Sequence, residues 1–193
     1  MTDPTTLTRR RLLRTGAGVT ALAAAGCLGT GADGGEAATA GGSGELGDPA
    51  TRVTVNATAD PTPNFQPDIV HVEPGGTVEW EVVHHRHTVT AYHPDTYGPL
   101  RIPEGVEPWD SGTLRAGNRF ERTFDREGIY DYLDTRILCA PHEALGAVGR
   151  VVVGWPDPEG EPAIRSDPDE LRGRAVTVMA ELDERTRETL SEP

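Results

Sequence analysis

The feature that most constrains the fold is a series of short segments between residues 52 and 154 in which apolar and polar side chains alternate as in β-strands. Turn signals such as Pro74–Gly75–Gly76, Ala116–Gly117 and Glu127–Gly128 separate the segments, and no helical pattern lies between them. An all-parallel sheet is disfavoured, because its strands would need crossover helices. The pattern predicts an all-β sandwich, with a domain over 51–154 and strands at 52–57, 68–73, 77–83, 87–92, 118–124, 129–133 and 148–153.

Composition narrows the possible classes of protein. The 193 residues include 31 acidic and 18 basic side chains, a net charge of −13, and every basic one is Arg. This charge argues against a general nucleic-acid binder, which needs a basic face for phosphate. Strong acidity with arginine as the only cation fits a protein kept soluble in high salt, so we expect a halophilic protein. With 36% apolar residues, a second globular domain is not expected.

The N-terminus has the pattern of an export signal, which we assign to residues 1–26. Arginines at 9–11 precede an apolar run over 17–25 that is too short to span a bilayer, and they suggest the twin-arginine export route. The run ends in Ala24–Ala25–Gly26–Cys27, which resembles a lipobox. Cys27 is therefore the predicted lipidation site of a membrane-anchored lipoprotein, and a plain cleavable signal is the alternative.

Residues 27–50 are rich in Gly, Ala and Thr, which predicts a flexible tether. The only cysteine besides Cys27 is Cys139. If Cys27 carries lipid, Cys139 is a single thiol in an oxidising exterior, where an unprotected thiol is lost to oxidation. A bound metal is the obvious means of protecting it.

The C-terminal part, 155–193, is predicted to be a linker followed by a helix. Asp167, Pro168 and Glu170 form a helix-start signal, which predicts an amphipathic helix over 168–189. Its apolar stripe consists of Leu171, Ala175, Val178 and Leu182. The helix could dock on the sandwich, pair with another chain or stay solvated, and docking is the favoured alternative.

Two short segments contain the residues suited to metal chemistry. The first contains His84, His85 and His87, and the second contains Cys139 and His142 at the spacing Cys-x-x-His. A thiolate and an imidazole on one tight loop, joined by an imidazole from a remote strand, form a His₂Cys set. That set is typical of trigonal blue-copper electron-transfer sites.

The block over 52–154 resembles the cupredoxins of the plastocyanin, amicyanin and halocyanin group. The resemblance rests on Cys139-x-Pro141-His142-x-x-x-Gly146-x-x-Gly149 before the last strand, and on His87-Thr88-Val89 and Trp109–Gly112 earlier. It implies a Greek-key β-sandwich that binds one copper ion of type 1. By the same resemblance, His87, Cys139 and His142 are the equatorial ligands.

The sequence departs from that family's pattern in two places. Ala147 stands at the position of the axial Met and has no donor atom, so the fourth position is open to the Arg86 carbonyl, water or another side chain. The family's aromatic strand directly precedes the Cys, whereas here residues 134–138 separate Tyr130–Leu133 from Cys139.

The export signal and the lipobox predict an extracytoplasmic protein held by its lipid on the outer face of the membrane, and the resemblance implies that it carries single electrons. We expect it not to be an enzyme, because nothing in the sequence resembles a substrate pocket or an acid–base pair. Its partner would be a membrane respiratory complex or a soluble carrier, with no role for nucleic acid. The alternatives are a module that buffers or delivers copper with the help of His84, His85 and His93, or a copper-free domain. His71 and Glu143 are expected at the surface.

Overall fold

The computed structural model describes residues 41–167 and 170–191, which form two packed layers of β-strands and a C-terminal helix. The strands are β1 Ala50–Thr58, β2 Asn64–Gln66, β3 Ile69–Val82, β4 Arg86–His87, β5 Thr90–Ala91, β6 Leu114–Arg115, β7 Arg119–Phe124, β8 Gly128–Leu133 and β9 Val148–Val153. The helices are α1 Pro162–Arg165 and α2 Arg174–Ser191. The predicted β-sandwich is confirmed. The predicted signal over 1–26 and Cys27 lie outside the described residues.

β3 connects the two layers, because it is long enough to pair on both sides of a bend. Its first part runs parallel to β9, in the layer that also contains β8 and β5. Its second part lies between β1 and β7, in the layer that also contains β2. Pro74–Gly75–Gly76 was expected to separate two strands but lies within β3, where Gly75 has a φ of +86°. The separate strands at 68–73 and 77–83 are therefore one bent strand, because both halves keep pairing partners.

The core lies between the two layers and is built by alternate residues of each strand. Tyr132 of β8 crosses this core beside Gly149 of β9, where a Cβ would lie 2.5 Å from the tyrosine ring. Only glycine leaves room for the ring there. The main core side chains are Val55, Ala57, Val70, Val72, Val78, Trp80, Val82, Phe124, Tyr130, Tyr132, Val151 and Val153.

The predicted strand over 87–92 is divided in two. β4 pairs with β6, whereas β5 pairs with β8 in the main sheet, so the chain crosses from one sheet to the other at Thr88 and Val89. Their N–H groups donate to the side chains of Asp134 and Ser111 instead of to a neighbouring strand. Sequence alternation does not distinguish this crossing from a continuous strand.

The last residues of the predicted tether are folded. Gly42 donates to the carbonyl of Pro49, and Gly44 accepts from the N–H of His71. Ala50 already belongs to β1. The prediction of flexibility for 27–50 is wrong for 42–50, because this turn covers the start of β3.

The C-terminal helix docks on the sandwich, as the favoured alternative predicted. Leu171, Ala175, Met179 and Leu182 are buried against a cluster that includes Ile69, Tyr92, Leu133, Val148 and Val152. The helix begins at Arg174 and not at the predicted 168, because Gly173 has a φ of +57°, a left-handed conformation that interrupts the helix. Within the described residues, no helix is both long and apolar enough to cross a membrane.

A buried ionic network fixes α2 to β8 and β9. The carboxylate of Asp131 accepts from Arg101 Nε at 2.9 Å and from Arg150 Nε at 2.7 Å. Arg150 also donates to Asp183 of α2 at 2.5 Å and to Thr186 at 3.0 Å. Two arginines and two aspartates balance in charge, as buried ions require.

Candidate metal centre

His87 reaches the interior from β4. Its backbone pairs with Leu114 of β6, and its side chain is fully buried. The crossing between sheets follows immediately, so His87 is the last residue before the chain passes from β4 to β5 in the main sheet. This local geometry directs an imidazole into the protein from a strand of only two residues.

Asp134 follows the last residue of β8 and continues its alternation. Tyr130 and Tyr132 face the core between the layers, whereas Leu133 packs on the side covered by α2. Because side chains alternate along a strand, Asp134 faces the same side as the two tyrosines. Its N–H donates to the Ala147 carbonyl at 2.9 Å, which ties the end of β8 to the chain entering β9.

His142 precedes the 3₁₀ turn Glu143–Leu145, which ends at Gly146 with a φ of +95°. The His142 N–H donates to the Arg136 carbonyl at 2.8 Å, and its carbonyl accepts from Ala147 at 3.0 Å. These bonds hold the returning chain beside the end of β8. The ring of His142 is thereby held close to Asp134 and His87.

The two imidazoles and the carboxylate converge on one point. Nδ1 of His87 and Nδ1 of His142 lie 2.7 Å and 2.6 Å from the same oxygen, Oδ2 of Asp134. The candidate ligand atoms all lie within 4.8 Å of one another, and all three residues are buried. Two nitrogens and one oxygen at this separation fit the donor set of a divalent transition-metal ion such as Cu(II) or Zn(II).

Hydrogen bonds keep the Asp134 carboxylate ionised in its buried position. Burial alone would raise the pKa of Asp134, but hydrogen bonds from His87, His142 and the Arg136 N–H outweigh burial and lower that pKa. Oδ1 also accepts from the N–H and the hydroxyl of Thr88, each at 3.1 Å. Oδ2 is therefore the oxygen directed at the imidazoles, and Oδ1 is held by the protein.

The two Nδ1 atoms can bind a metal ion once they lose the protons that they donate to Asp134. Both point at Asp134 Oδ2, whereas Nε2 of His87 is buried and has no hydrogen-bond partner among the described residues. The Asp134 carboxylate is the one hydrogen-bond partner of the His87 ring in the described structure. Among the described residues, the hydrogen bond to Asp134 is thus the polar contact that orients the His87 ring.

Of the three residues predicted as ligands, the structure brings His87 and His142 together and leaves Cys139 apart. Cys139 is exposed, with an unpaired thiol, on a loop whose side chains Ile137 and Leu138 are 69% and 76% exposed. It lines a cavity of about 650 Å³ that also borders His142. The thiol is therefore at the mouth of the centre and does not belong to the group of atoms that converge.

Sequence reasoning missed Asp134, although a signal for it exists. Continuing the period-two pattern from Tyr130 and Tyr132 leads directly to Asp134, before any residue of the loop. Ala147, at the expected axial position, is buried and contacts the centre through its backbone bonds to Asp134 and His142.

The remaining histidines and Glu143 occupy other environments. His84 and His85 are exposed, and His93 is half-buried and accepts from the Asp95 N–H. His71 and Glu143 were expected at the surface, but both are buried.

Hydrogen bonds explain both of these corrections. His71 lies between the Gly47 N–H and the Gly154 carbonyl, at 3.1 Å and 2.6 Å. Glu143 accepts from the hydroxyls of Tyr92 and Tyr97, at 3.0 Å and 2.8 Å. Neither set of partners is visible in the local sequence, because the partners come from remote segments.

Comparison with known proteins relates the β-sandwich to copper proteins. A family model described as copper-binding proteins of the plastocyanin/azurin family matches residues 52–154. No match was found among curated proteins.

Among solved structures, the chain is similar to the native pseudoazurin from Hyphomicrobium denitrificans, with 24% identity and a TM-score of 0.55 over 69% of this chain and 96% of that one. It is also similar to the pseudoazurin from Methylobacterium extorquens AM1, with 22% identity and a TM-score of 0.51 over 71% of this chain and 98% of that one. At this level of identity the matches establish the fold alone.

Proposed function

The chain belongs to the plastocyanin/azurin family of copper-binding proteins, and we propose that it binds one copper ion and carries single electrons between redox partner proteins. The observation that carries this proposal is the convergence of His87 and His142, whose Nδ1 atoms both lie within 2.7 Å of a single oxygen. Copper, when bound, supplies a couple between Cu(I) and Cu(II). The chain supplies two imidazoles that suit both oxidation states.

The surroundings of the two rings suit electron transfer. His87 is enclosed by the sandwich, and His142 lies at the edge of the cavity and is 5% exposed. His142 therefore gives the shortest path from the centre to a docked partner. The rim around it combines apolar Leu138 and Leu145 with the cationic Arg86 and Arg136, a surface suited to a short-lived complex.

The third ligand has two candidates. The sequence pattern favours Cys139, which would give a type 1 site, and the geometry favours Asp134. Both candidates share His87 and His142, so the proposal of a copper centre does not depend on which of them is the third ligand.

A second function, copper buffering or delivery, is favoured by one observation. Exposed Cys139 and His85 line the cavity that leads to His142, so soft and borderline ligands stand at its mouth. A fast, reversible one-electron wave in voltammetry favours the carrier. Transfer of copper to a chelator without redox cycling favours the buffer.

We further propose that the protein works outside the cytoplasm, anchored by lipid on Cys27 to the outer face of the membrane. The predicted signal and lipobox support this location, which also suits a membrane respiratory complex or a soluble carrier as partner. The test is fractionation of cells that express the native sequence. Recovery of the wild type with membranes, and of Cys27→Ala in the soluble fraction, is the expected result.

Metal titration tests the copper proposal. We expect one equivalent of copper per chain and a reversible wave, with both lost in His87→Gln and in His142→Gln. His93→Gln is the matched control, because this imidazole lies outside the centre. A folded wild type that binds no copper would overturn the proposal.

A further inference from the structure

We propose that Asp134, and not Cys139, is the third ligand of this centre, so that the metal is held by two nitrogens and one oxygen in place of a blue His₂Cys set. The inference rests on the copper-binding function proposed above. It concerns which of this chain's residues faces the metal, and it leaves His87 and His142 in the roles already given.

The first argument is position at the end of β8. Asp134 directly follows the strand, faces the interior with Tyr130 and Tyr132, and has its backbone fixed by the bond to Ala147. A residue at this place needs no loop rearrangement to meet the imidazoles. The separations from Oδ2 to the two Nδ1 atoms are accordingly 2.7 Å and 2.6 Å.

The second argument is the conformation of the loop over 135–141. The His142 N–H bonds to the Arg136 carbonyl at 2.8 Å, and Ile137 and Pro141 form an antiparallel bridge. These contacts close the loop at its base, so that Cys139 lies at the exposed tip. Turning the thiol into the centre would break them, and it would also displace a carboxylate that is already bonded there.

The third argument is the support of the carboxylate. Oδ1 accepts from Thr88 N–H and Oγ1 at 3.1 Å and from the Arg136 N–H at 3.0 Å. In metal sites, hydrogen bonds to the carboxylate oxygen that does not face the metal hold the other oxygen in position. An anion with this support compensates part of the charge of a divalent cation in a buried position.

Replacement of a thiolate by a carboxylate changes the chemistry that the centre offers. Oxygen is a harder donor than sulfur and favours Cu(II) over Cu(I), and the same N₂O set also accepts Zn(II). No thiolate means no intense thiolate-to-copper absorption. The centre should also have a lower reduction potential than the same two imidazoles with a thiolate.

The experiment compares four full-length proteins loaded with Cu(II): wild type, Cys139→Ser, Asp134→Asn and Asp134→Cys. Stoichiometry, visible absorption and electron paramagnetic resonance are measured for each, with Asp125→Asn as a control for loss of an exposed carboxylate. Circular dichroism reports whether each variant is folded.

We expect wild type and Cys139→Ser to bind one copper ion with weak colour and with the wide copper hyperfine splitting of tetragonal nitrogen–oxygen sites. Asp134→Asn should weaken Cu(II) binding by more than the roughly 10–100-fold seen when only the support of a metal ligand is lost, because it removes the charge of a ligand. Asp134→Cys should produce intense colour, because it puts a thiolate where the imidazoles meet. This gain of colour would show that residue 134 faces the two imidazoles, even if Asp134→Asn fails to fold.

Two outcomes overturn the inference, and they differ in what they imply. An intensely coloured wild type that loses its colour in Cys139→Ser would identify the thiol as ligand, and the proposed copper function would stand. A folded wild type that binds no Cu(II) would overturn the copper function together with the inference.

Discussion

Asp131→Asn tests whether the buried ionic network holds α2 on the sandwich. Asp131 is fully buried and accepts three N–H bonds from Arg101 and Arg150, between 2.7 Å and 2.9 Å. Asparagine has nearly the same shape but no charge. The change leaves two buried guanidinium groups that share Asp183, and it directs an amide N–H at one of them.

The expected loss of stability follows from the positive charge that is left without a partner. Removing one partner of a buried ion pair costs about 3–5 kcal/mol, because an uncompensated charge remains in the interior. For a chain of this size each kcal/mol lowers Tm by about 2–4 °C, so a decrease of about 6–20 °C is expected. Calorimetry and denaturant unfolding measure this decrease, and it should be similar at low and high salt, because buried charges are poorly screened.

Asp125→Asn is the matched control, since it removes a carboxylate from an exposed position. It should change the free energy of unfolding by no more than about 0.5 kcal/mol. Copper affinity should be the same in both variants, because Asp131 faces α2 and Asp134 faces the opposite side of β8. A loss below about 1 kcal/mol in Asp131→Asn would show that water reaches the network, and the account of how α2 docks would be refuted.

Three further perturbations probe the packing and the buried histidine. Leu182→Ala should lower the free energy of unfolding by about 2–5 kcal/mol in urea titration, and Val178→Ala, which is only partly buried, should lower it less. Gly149→Ala should lower Tm in a thermal scan, because its Cβ would lie 2.5 Å from the Tyr132 ring, and an unchanged Tm would refute that packing. Burial lowers the pKa of His71 below its usual value of about 6.5, so the unfolded chain takes up a proton that the native chain does not. Stability should therefore fall as the pH drops below about 6.5, and the fall should be smaller in His71→Gln, as unfolding curves at several pH values would report.

The sequence predicted the strands well where the pairing partner stays the same along the strand, and less well where the pairing changes. β7, β8 and β9 have nearly their predicted bounds. The bend in β3 was missed because Pro74–Gly75–Gly76 indicates a turn, and the crossing at Thr88 and Val89 was missed because alternation continues through it. Pairing partners, which only the tertiary structure supplies, decide whether a Pro-Gly pair reverses a strand or bends it.

The sequence also failed to predict which polar residues are buried. His71 and Glu143 were expected at the surface because each is a polar residue with no partner in the adjoining sequence. Their partners are the Gly154 carbonyl and the hydroxyls of Tyr92 and Tyr97, all contributed by remote segments. A polar side chain is buried at low cost once such partners exist, and local sequence does not reveal them.

The candidate centre shows why a short motif and a strand pattern can predict different ligands. The spacing from Cys139 to His142 describes the loop only, whereas the place where that loop joins the sheet depends on the end of β8. Inserting residues between the strand and the motif keeps Cys-x-x-His intact and moves it away from the sheet. The residue that then meets His87 and His142 is the first one after the strand, Asp134, whose oxygen lies within 2.7 Å of both rings. Of the two signals, alternation along β8 is the better guide to the residue that meets both imidazoles, because that residue directly follows the strand.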